Sequence, residues 1–240
     1  MQRRIKQFAI IAAGEGRRLS EEGVAWPKAL VPLNGEPLLS RLVRIFKTCA
    51  AERIVIIVND LHPQVEQYVR QLMTQPGGER IHLVVQTTPS SMHSFYALSQ
   101  HLTDEPFCLT TVDTIFREEE FARYIEAFRT SEADGLMAVT DYVDDEKPLY
   151  ISTTRELHIT GFHDQPTPDC RYISGGIYCL TPKALDTLHR CMDEGLSRMR
   201  NFQRQLVSDG LQLEAWPFSK IVDVDHAEDI AKAEEFLREE

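Results

Sequence analysis

Apolar positions along the chain fall into short blocks whose spacing switches repeatedly between the period of a strand and that of a helix. Residues 8–12 (FAIIA), 53–58 (RIVIIV), 81–86 (IHLVVQ), 107–112 (FCLTTV) and 135–140 (GLMAVT) are compact small or β-branched runs, the pattern of strands covered on both faces. Between them, 37–50, 61–74, 92–102 and 118–129 place apolar residues at helical intervals. This alternation predicts repeated βα units, and therefore an α/β fold: a Rossmann-like, mostly parallel sheet with helices on both faces. Ligands of such open sheets bind beyond the carboxyl ends of the strands. Gly14, Gln86 and Asp113 all fall there.

From about residue 141 the rhythm changes. Residues 149–153, 157–162 and 171–180 read as strands without intervening helices, which predicts a β-rich flap over one side of the site. Helices return at 182–193 and 198–208, then a strand at 211–216, and 221–225 leads into a last helix at 227–239. The chain has 240 residues, no internal repeat and no low-complexity linker. A single domain is expected over 1–240. Its nucleotide-binding part would be about 1–140 and 211–240, and its acceptor-binding β-rich insert about 141–180.

Hydrophobic content of 42% and charged content of 26% are ordinary globular values. The longest apolar run, 8–13, is far too short to span a bilayer, so a cytoplasmic protein with no membrane partner is expected. Five cysteines form no CxxC pair, which favours buried reduced thiols over a disulfide framework or a zinc site. A net charge of −11 argues against nucleic acid as a partner. The charge is uneven: residues 1–47 carry nine Lys/Arg against four Glu, a net of +5 that leaves −16 for the remainder. A polyanionic small molecule would be drawn to that N-terminal segment.

The chemistry concentrates between residues 10 and 28. A buried strand runs into Ala12-Ala13-Gly14-Glu15-Gly16, followed by Arg17, Arg18 and, after a polar loop, Pro27-Lys28. Glycines at 14 and 16 remove Cβ atoms and permit positive φ, so that successive backbone N–H groups can approach phosphate oxygens closely. Arg17, Arg18 and Lys28 bring cations to the same place. Pro27 fixes its own φ and biases Trp26 toward extended geometry, setting the distance of Lys28. The stretch suits an oligophosphate; the plainer alternative is a strand, a glycine turn and some solvated charges. It lacks the Gly-Lys-Ser/Thr ending of a P-loop and the third glycine of a dinucleotide fingerprint.

The longer pattern, A-A-G-x-G-x-R-L followed by P-K and then Leu30, Leu33, Gly35 and Pro37-Leu38-Leu39, resembles the signature of the nucleotidyltransferases that make nucleotide sugars and related activated metabolites. Two further segments resemble the same family. Residues 109–116 (LTTVDTIF) match its strand-end motif, in which an aspartate, here Asp113, holds a metal ion. Residues 221–230 (IVDVDHAEDI) match the segment supplying the second carboxylate, here Asp225 with Asp223 beside it. Asp225 and Glu228 also have the spacing of a capping box for the last helix. The resemblance implies a Mg²⁺-dependent transfer of a nucleotidyl group from a nucleoside triphosphate (NTP) to a phosphorylated small molecule, with release of pyrophosphate. It implies that residues 12–17 cradle the triphosphate, that Arg18 and Lys28 are the catalytic cations, and that Asp113, Asp225 and Asp223 serve the metal.

Departures from the family pattern bear on the substrates. Gln86 stands at the base-recognition strand, but the helix after it offers His93-Ser94 where the family has a glycine and a hydroxyl residue, leaving Ser94 as the nucleotide contact. Residues 159–166 (ITGFHDQP) resemble the family's acceptor segment with Gln165 in place of the lysine that meets the acceptor phosphate. Arg171 or Lys147 could supply that charge instead. Tyr150, Arg171, Tyr172 and Gly176 are the acceptor-side candidates, and Trp26 and Tyr142 are further aromatic residues of interest. A sugar 1-phosphate is the leading acceptor. Phosphocholine or another phosphorylated alcohol is the second reading, and a non-catalytic nucleotide-binding regulatory module the third. The nucleobase and the oligomeric state are left open.

Overall fold

The computed structural model describes residues 3–144 and 146–238. Its strands are β1 (Gln7–Ala12), β2 (Pro32–Leu33), β3 (Glu36–Pro37), β4 (Arg53–Val58), β5 (Ile81–Val85), β6 (Phe107–Thr111), β7 (Thr114–Ile115), β8 (Gly135–Thr140), β9 (Tyr150–Thr153), β10 (Ile159–His163), β11 (Cys170–Leu180), β12 (Leu213–Pro217) and β13 (Val222–Asp223). The helices are α1 (Arg17–Glu21), α2 (Leu38–Thr48), α3 (Pro63–Met73), α4 (Ser91–Ser99), α5 (Glu118–Thr130), α6 (Lys183–Asp193), α7 (Met199–Ser208) and α8 (Ala227–Arg238).

Nine strands form one sheet in the order β10-β9-β11-β6-β1-β4-β5, with β8 also paired to β11 and β12 paired to β8. β6, β1, β4 and β5 run parallel, so the loops that leave their carboxyl ends emerge along one edge. β11 runs antiparallel to β6, β8 and β9. The strands of the 149–180 segment thus join the main sheet through β11, whose first half pairs β9 and whose second half pairs β6.

Alternation along each strand divides the core in two. Phe8, Ile10, Ile54 and Ile56 pack into one apolar cluster with side chains of α2, α3, α5 and α8. Ala9, Ile11, Val55 and Ile57 pack into the other, against Met92, Phe95 and Leu98 of α4 and residues of α6 and α7. Both faces are therefore covered, which is why these strands read as unbroken apolar runs. The short elements α1, β2, β3 and β7 have too few residues to show a period, and the apolar pattern does not announce them. Among the described residues no helix is long and apolar enough to cross a membrane, and all five cysteines are free thiols.

Candidate active site

The loop after β1 is shaped by its two glycines in different ways. Gly16 has φ +64°, and a Cβ there would stand 3.0 Å from Lys28 Cβ. Its missing side chain lets Lys28 stand against the loop. A Cβ on Gly14 would meet nothing within 4 Å, because that position faces the open cleft. Among the described residues no protein acceptor takes the N–H groups of Gly14, Glu15 or Gly16. These donors are available to an anion. Gly16→Ala should therefore destabilise the fold by about 1–2 kcal/mol through left-handed strain. Gly14→Ala should leave the thermal midpoint close to wild type while weakening NTP binding. Thermal melts with equilibrium dialysis of NTP check the pair, and equal midpoints would remove the distinction.

Pro27, with φ −56° and ψ 144°, delivers the chain into a tight turn over Lys28–Leu30 whose Ala29 and Leu30 are buried. Leu30 N–H donates to Pro27 O at 2.8 Å. Lys28 is so fixed that its Nζ donates to Asp113 Oδ2 and, at 2.6 Å, to Asp225 Oδ1. The second Asp225 oxygen accepts from Arg18 at 3.2 Å. Side-chain exposure is only 13% for Lys28 and 18% for Asp113. Burial alone would depress the Lys28 ammonium, but Asp113 and Asp225 outweigh it and hold its pKa above the ordinary lysine value. Burial likewise works to raise the Asp113 carboxyl, and the adjacent ammonium reverses the sign, holding it below the usual aspartate range.

Two residues distant in sequence thus bring their carboxylates onto one nitrogen. β7 pairs antiparallel with β13, and Val224 N–H donates to Asp113 O at 3.1 Å, so the two acidic segments are stitched together by backbone. Asp223 ends β13 and is exposed. With Asp113 it bears electrostatically on Tyr178, whose phenol is pushed up to about 12, by burial first and by these two charges in addition. Gly176 has φ +72°, in the left-handed region that favours glycine, and a Cβ there would stand 3.1 Å from Thr114 Oγ1. Its neighbours there are Thr111 and Thr114, on either side of Asp113 in the chain.

The expected cap of the last helix is different in the structure. Asp225 gives its carboxylate to Lys28 and Arg18, and Glu228 pairs with Lys232 at 3.0 Å. Asp229 instead accepts from the N–H groups of Asp225 and His226, at 3.1 and 2.7 Å. Glu22 accepts from Ala227 N–H at 2.6 Å. A carboxylate one turn inside the helix reaches back, which leaves Asp225 available to the site.

Clefts open on two sides of this centre, and another adjoins the second of them through Glu146. One of about 440 Å³ is lined by residues of the Gly14 loop, Lys28, Asp113, Thr88, Ser90, Ser91 and Ser94. Ala12, Ala13, Gly14, Glu15 and Arg17 all border it, although the Arg17 guanidinium turns back onto Glu15. Ser94 is buried, with its hydroxyl 2.6 Å from that of Thr88. Gln86 is not among the residues lining this cleft. Its N–H extends the β5–β4 ladder to Val58 O at 2.9 Å, and its side chain is exposed.

A second cleft of about 700 Å³ is strongly acidic. Seven carboxylates line it, from Glu22, Asp144, Glu146, Asp223, Asp225, Glu228 and Asp229, with Arg18, Lys232, His226 and Tyr142. A third, of about 740 Å³, is basic, with Lys147, Arg198, Arg200 and Arg204 against Glu146 and Asp164. Tyr150 and Gln165 line this third cleft, and Glu146 is shared with the second. Arg171 and Tyr172 do not line any of the three. Tyr172 is 7% exposed inside the core, and the Arg171 guanidinium lies 5.1 Å above its ring. Strand alternation in β11 sends Tyr172 into the core and leaves its neighbour outside.

Asn59 is the residue that sequence reasoning passed over. It is 3% exposed, and its Nδ2 donates to Ala13 O and Gly14 O at 3.0 and 3.2 Å. Its Oδ1 accepts from Leu61 and His62 N–H. One amide so ties the β4–α3 loop to the glycine loop. An asparagine at the carboxyl end of the run 53–58, where ligands of such sheets bind, was the available signal.

Over 247 residues the chain is 24% identical to the UTP–glucose-1-phosphate uridylyltransferase AglF of Haloferax volcanii, covering 98% of this chain and 97% of that protein. It is 27% identical over 158 residues to CMP-5'-(3-aminopropyl)phosphonate synthase of Streptomyces rubellomurinus, a match that spans 58% of this chain and only 24% of that protein. Among solved structures, the inositol-1-phosphate CTP transferase from T. maritima superposes with a TM-score of 0.80 at 17% identity, over 99% of each chain. At that identity the superposition speaks for the fold. Fold and relatives together define a nucleotidyltransferase. The chain belongs to the family of MobA-like NTP transferase domains, whose model matches residues 8–208.

Proposed function

We propose that this nucleotidyltransferase joins the nucleotidyl group of an NTP to a phosphorylated small molecule, a sugar 1-phosphate before others, and releases pyrophosphate. The observation that carries the reading is the position of Lys28, held between the glycine loop and the Asp113 and Asp225 carboxylates. In the transfer, an oxygen of the acceptor phosphate forms a bond to the α-phosphorus while the bond from that phosphorus to the oxygen bridging to the β-phosphate breaks. The bond's electron pair leaves with pyrophosphate. The nucleophile is already anionic near neutral pH, so no general base is required, and the protein's work is positioning and charge neutralisation.

The roles divide accordingly. Free N–H groups of residues 14–16 hold the triphosphate, and Arg18 with Lys28 balances charge growing on the α-phosphate and the leaving group. Asp113 and Asp225 fit a divalent ion of the magnesium type, since they present hard oxygen donors that already converge on one cation. No group of three or more His, Cys, Asp or Glu residues able to hold a metal occurs among the described residues. The two aspartates, with Asp223 beside them, would therefore share the ion with phosphate oxygens, as magnesium sites commonly do. Such an ion, when bound, neutralises phosphate charge that side chains alone leave uncompensated.

The basic cleft suits the acceptor's phosphate, since Arg198, Arg200 and Arg204 there replace the charge that Gln165 lacks. Arg200→Ala and Tyr150→Ala should raise acceptor KM several-fold while leaving NTP KM nearly unchanged; equal effects on both substrates would remove the assignment. The acidic cleft favours a second reading, in which the acceptor carries a cationic amine or quaternary ammonium group. Tyr142, in that cleft, already presents its ring to a cation, Lys220 Nζ, 4.3 Å from the centroid. Pyrophosphate release measured across the NTPs, with sugar 1-phosphates, phosphocholine and an aminoalkyl phosphonate as acceptors, separates the readings. NTP binding without pyrophosphate release for every acceptor would leave a regulatory nucleotide-binding module.

A further inference from the structure

The two carboxylates assigned above to the metal give three of their four oxygens to cations of the same chain. Lys28 Nζ touches one oxygen of each, and Arg18 takes the remaining Asp225 oxygen at 3.2 Å. Lys28 and Asp113 are both largely covered, at 13% and 18% side-chain exposure, so these charges interact with little screening by water. A divalent ion held by Asp113 and Asp225 would compete with Lys28 and Arg18 for the Asp225 oxygens and stand close to the ammonium at Asp113, and two cations in that space repel.

We propose that Lys28 is an internal cation that closes the metal position, and that the position opens only when a triphosphate draws the ammonium away. Metal therefore enters with the triphosphate and not before it. The inference rests on the reading of Asp113 and Asp225 given above. Lys28, Asp113 and the Gly14 loop line one cleft, so a triphosphate held on the loop lies within reach of the same flexible side chain. Neither half of the exchange is favourable alone. A metal arriving first must push Lys28 off its partners into a cleft whose other carboxylate, Glu15, is already held by Arg17. A triphosphate arriving first meets two carboxylates with no added cation between them. Together each supplies the counter-charge the other lacks, and the coupling is reciprocal: metal tightens triphosphate binding by the factor by which triphosphate tightens metal binding.

The test is Mn²⁺ binding in the absence of nucleotide, followed by the paramagnetic resonance signal of the free ion. It compares wild type, Lys28→Met, Lys28→Gln and the Lys28→Met/Asp113→Asn double variant. Wild type should bind Mn²⁺ weakly, and both single variants at least ~10-fold more tightly, because a full opposing charge has been removed at contact distance. The double variant should lose that gain. A wild type that binds Mn²⁺ as tightly as Lys28→Met overturns the proposal. A gain that survives in the double variant puts the ion elsewhere and overturns the metal assignment beneath it. Should the single variants fail to fold, the wild-type titration decides alone. Saturation without nucleotide, at the Mn²⁺ concentration that half-supports pyrophosphate release, overturns the proposal, and lack of binding there supports it.

Discussion

Replacing Lys28 with alanine should lower the turnover of nucleotidyl transfer by about 10²–10³, the usual loss when one preorganised contact to developing charge is removed. The size follows from placement. The Lys28 backbone is held by a proline-led turn on one side and by the glycine loop on the other, so once the bound triphosphate has drawn the ammonium over, its charge needs little further reorganisation as the α-phosphate becomes more negative. Stability should fall as well, by about 1–3 kcal/mol, because Asp113 is left in a covered position without its donor. The two effects are separable. Lys28→Arg keeps the charge and restores the thermal midpoint, yet its planar fork is longer than an ammonium and meets two separate aspartates poorly. It should recover most of the stability and only part of the turnover. Steady-state pyrophosphate release beside thermal melts of the two variants gives the comparison. An alanine variant with near wild-type turnover would reduce Lys28 to a structural counter-ion of Asp113.

How much of this could be seen in the sequence depends on the range of the interaction concerned. Runs such as 53–58 declare a strand covered on both faces because every residue of β4 from Ile54 onward is buried and period alone carries that information. Gly16 and Lys28 were legible for a similar reason, since a glycine after a strand and a lysine after a proline each imply a local backbone state that the structure contains. Contacts between distant segments were not legible in the same way. Asp225 and Glu228 have capping-box spacing, yet Asp229 caps the helix while Asp225 reaches a lysine 197 positions away. Local spacing cannot reveal that rival partner. Tyr172 and Arg171 show the same dependence on distant pairing. They sit in a strand of the right segment, but only the pairing of β11 with β9 and β8 decides which residues face the core. The basic cleft was hidden because Arg200 and Arg204 belong to α7 and Arg198 directly precedes it, about 40 residues beyond the acceptor segment, and a helix that mixes apolar and basic positions reads as an ordinary solvated face.

Asp113→Asn should remove most divalent-ion-dependent turnover, by at least about 10², while the fold persists. The substitution is nearly isosteric and retains one carbonyl oxygen for Lys28. The Asp113 backbone carbonyl still accepts from Val224 N–H, so the β7–β13 stitch that brings Asp225 into place survives. Lys28 also keeps Asp225 at 2.6 Å. What is lost is one negative charge at the point where the two carboxylates converge, and an ion of high charge density depends on that charge more than on geometry. The pattern of the loss is therefore specific: kcat falls and the divalent-ion concentration needed for half-maximal rate rises, while NTP affinity measured without the ion is kept or improves, since one carboxylate charge facing the triphosphate is gone. Asp225→Asn should show the same pattern more weakly, because Asp225 is 44% exposed against 18% for Asp113 and water can replace part of what its charge supplies. Titrating Mg²⁺ against pyrophosphate release for both variants, with NTP binding followed separately, checks the ranking. Near wild-type turnover with an unchanged Mg²⁺ requirement in Asp113→Asn would assign Asp113 to the structural pairing of Lys28 and nothing more.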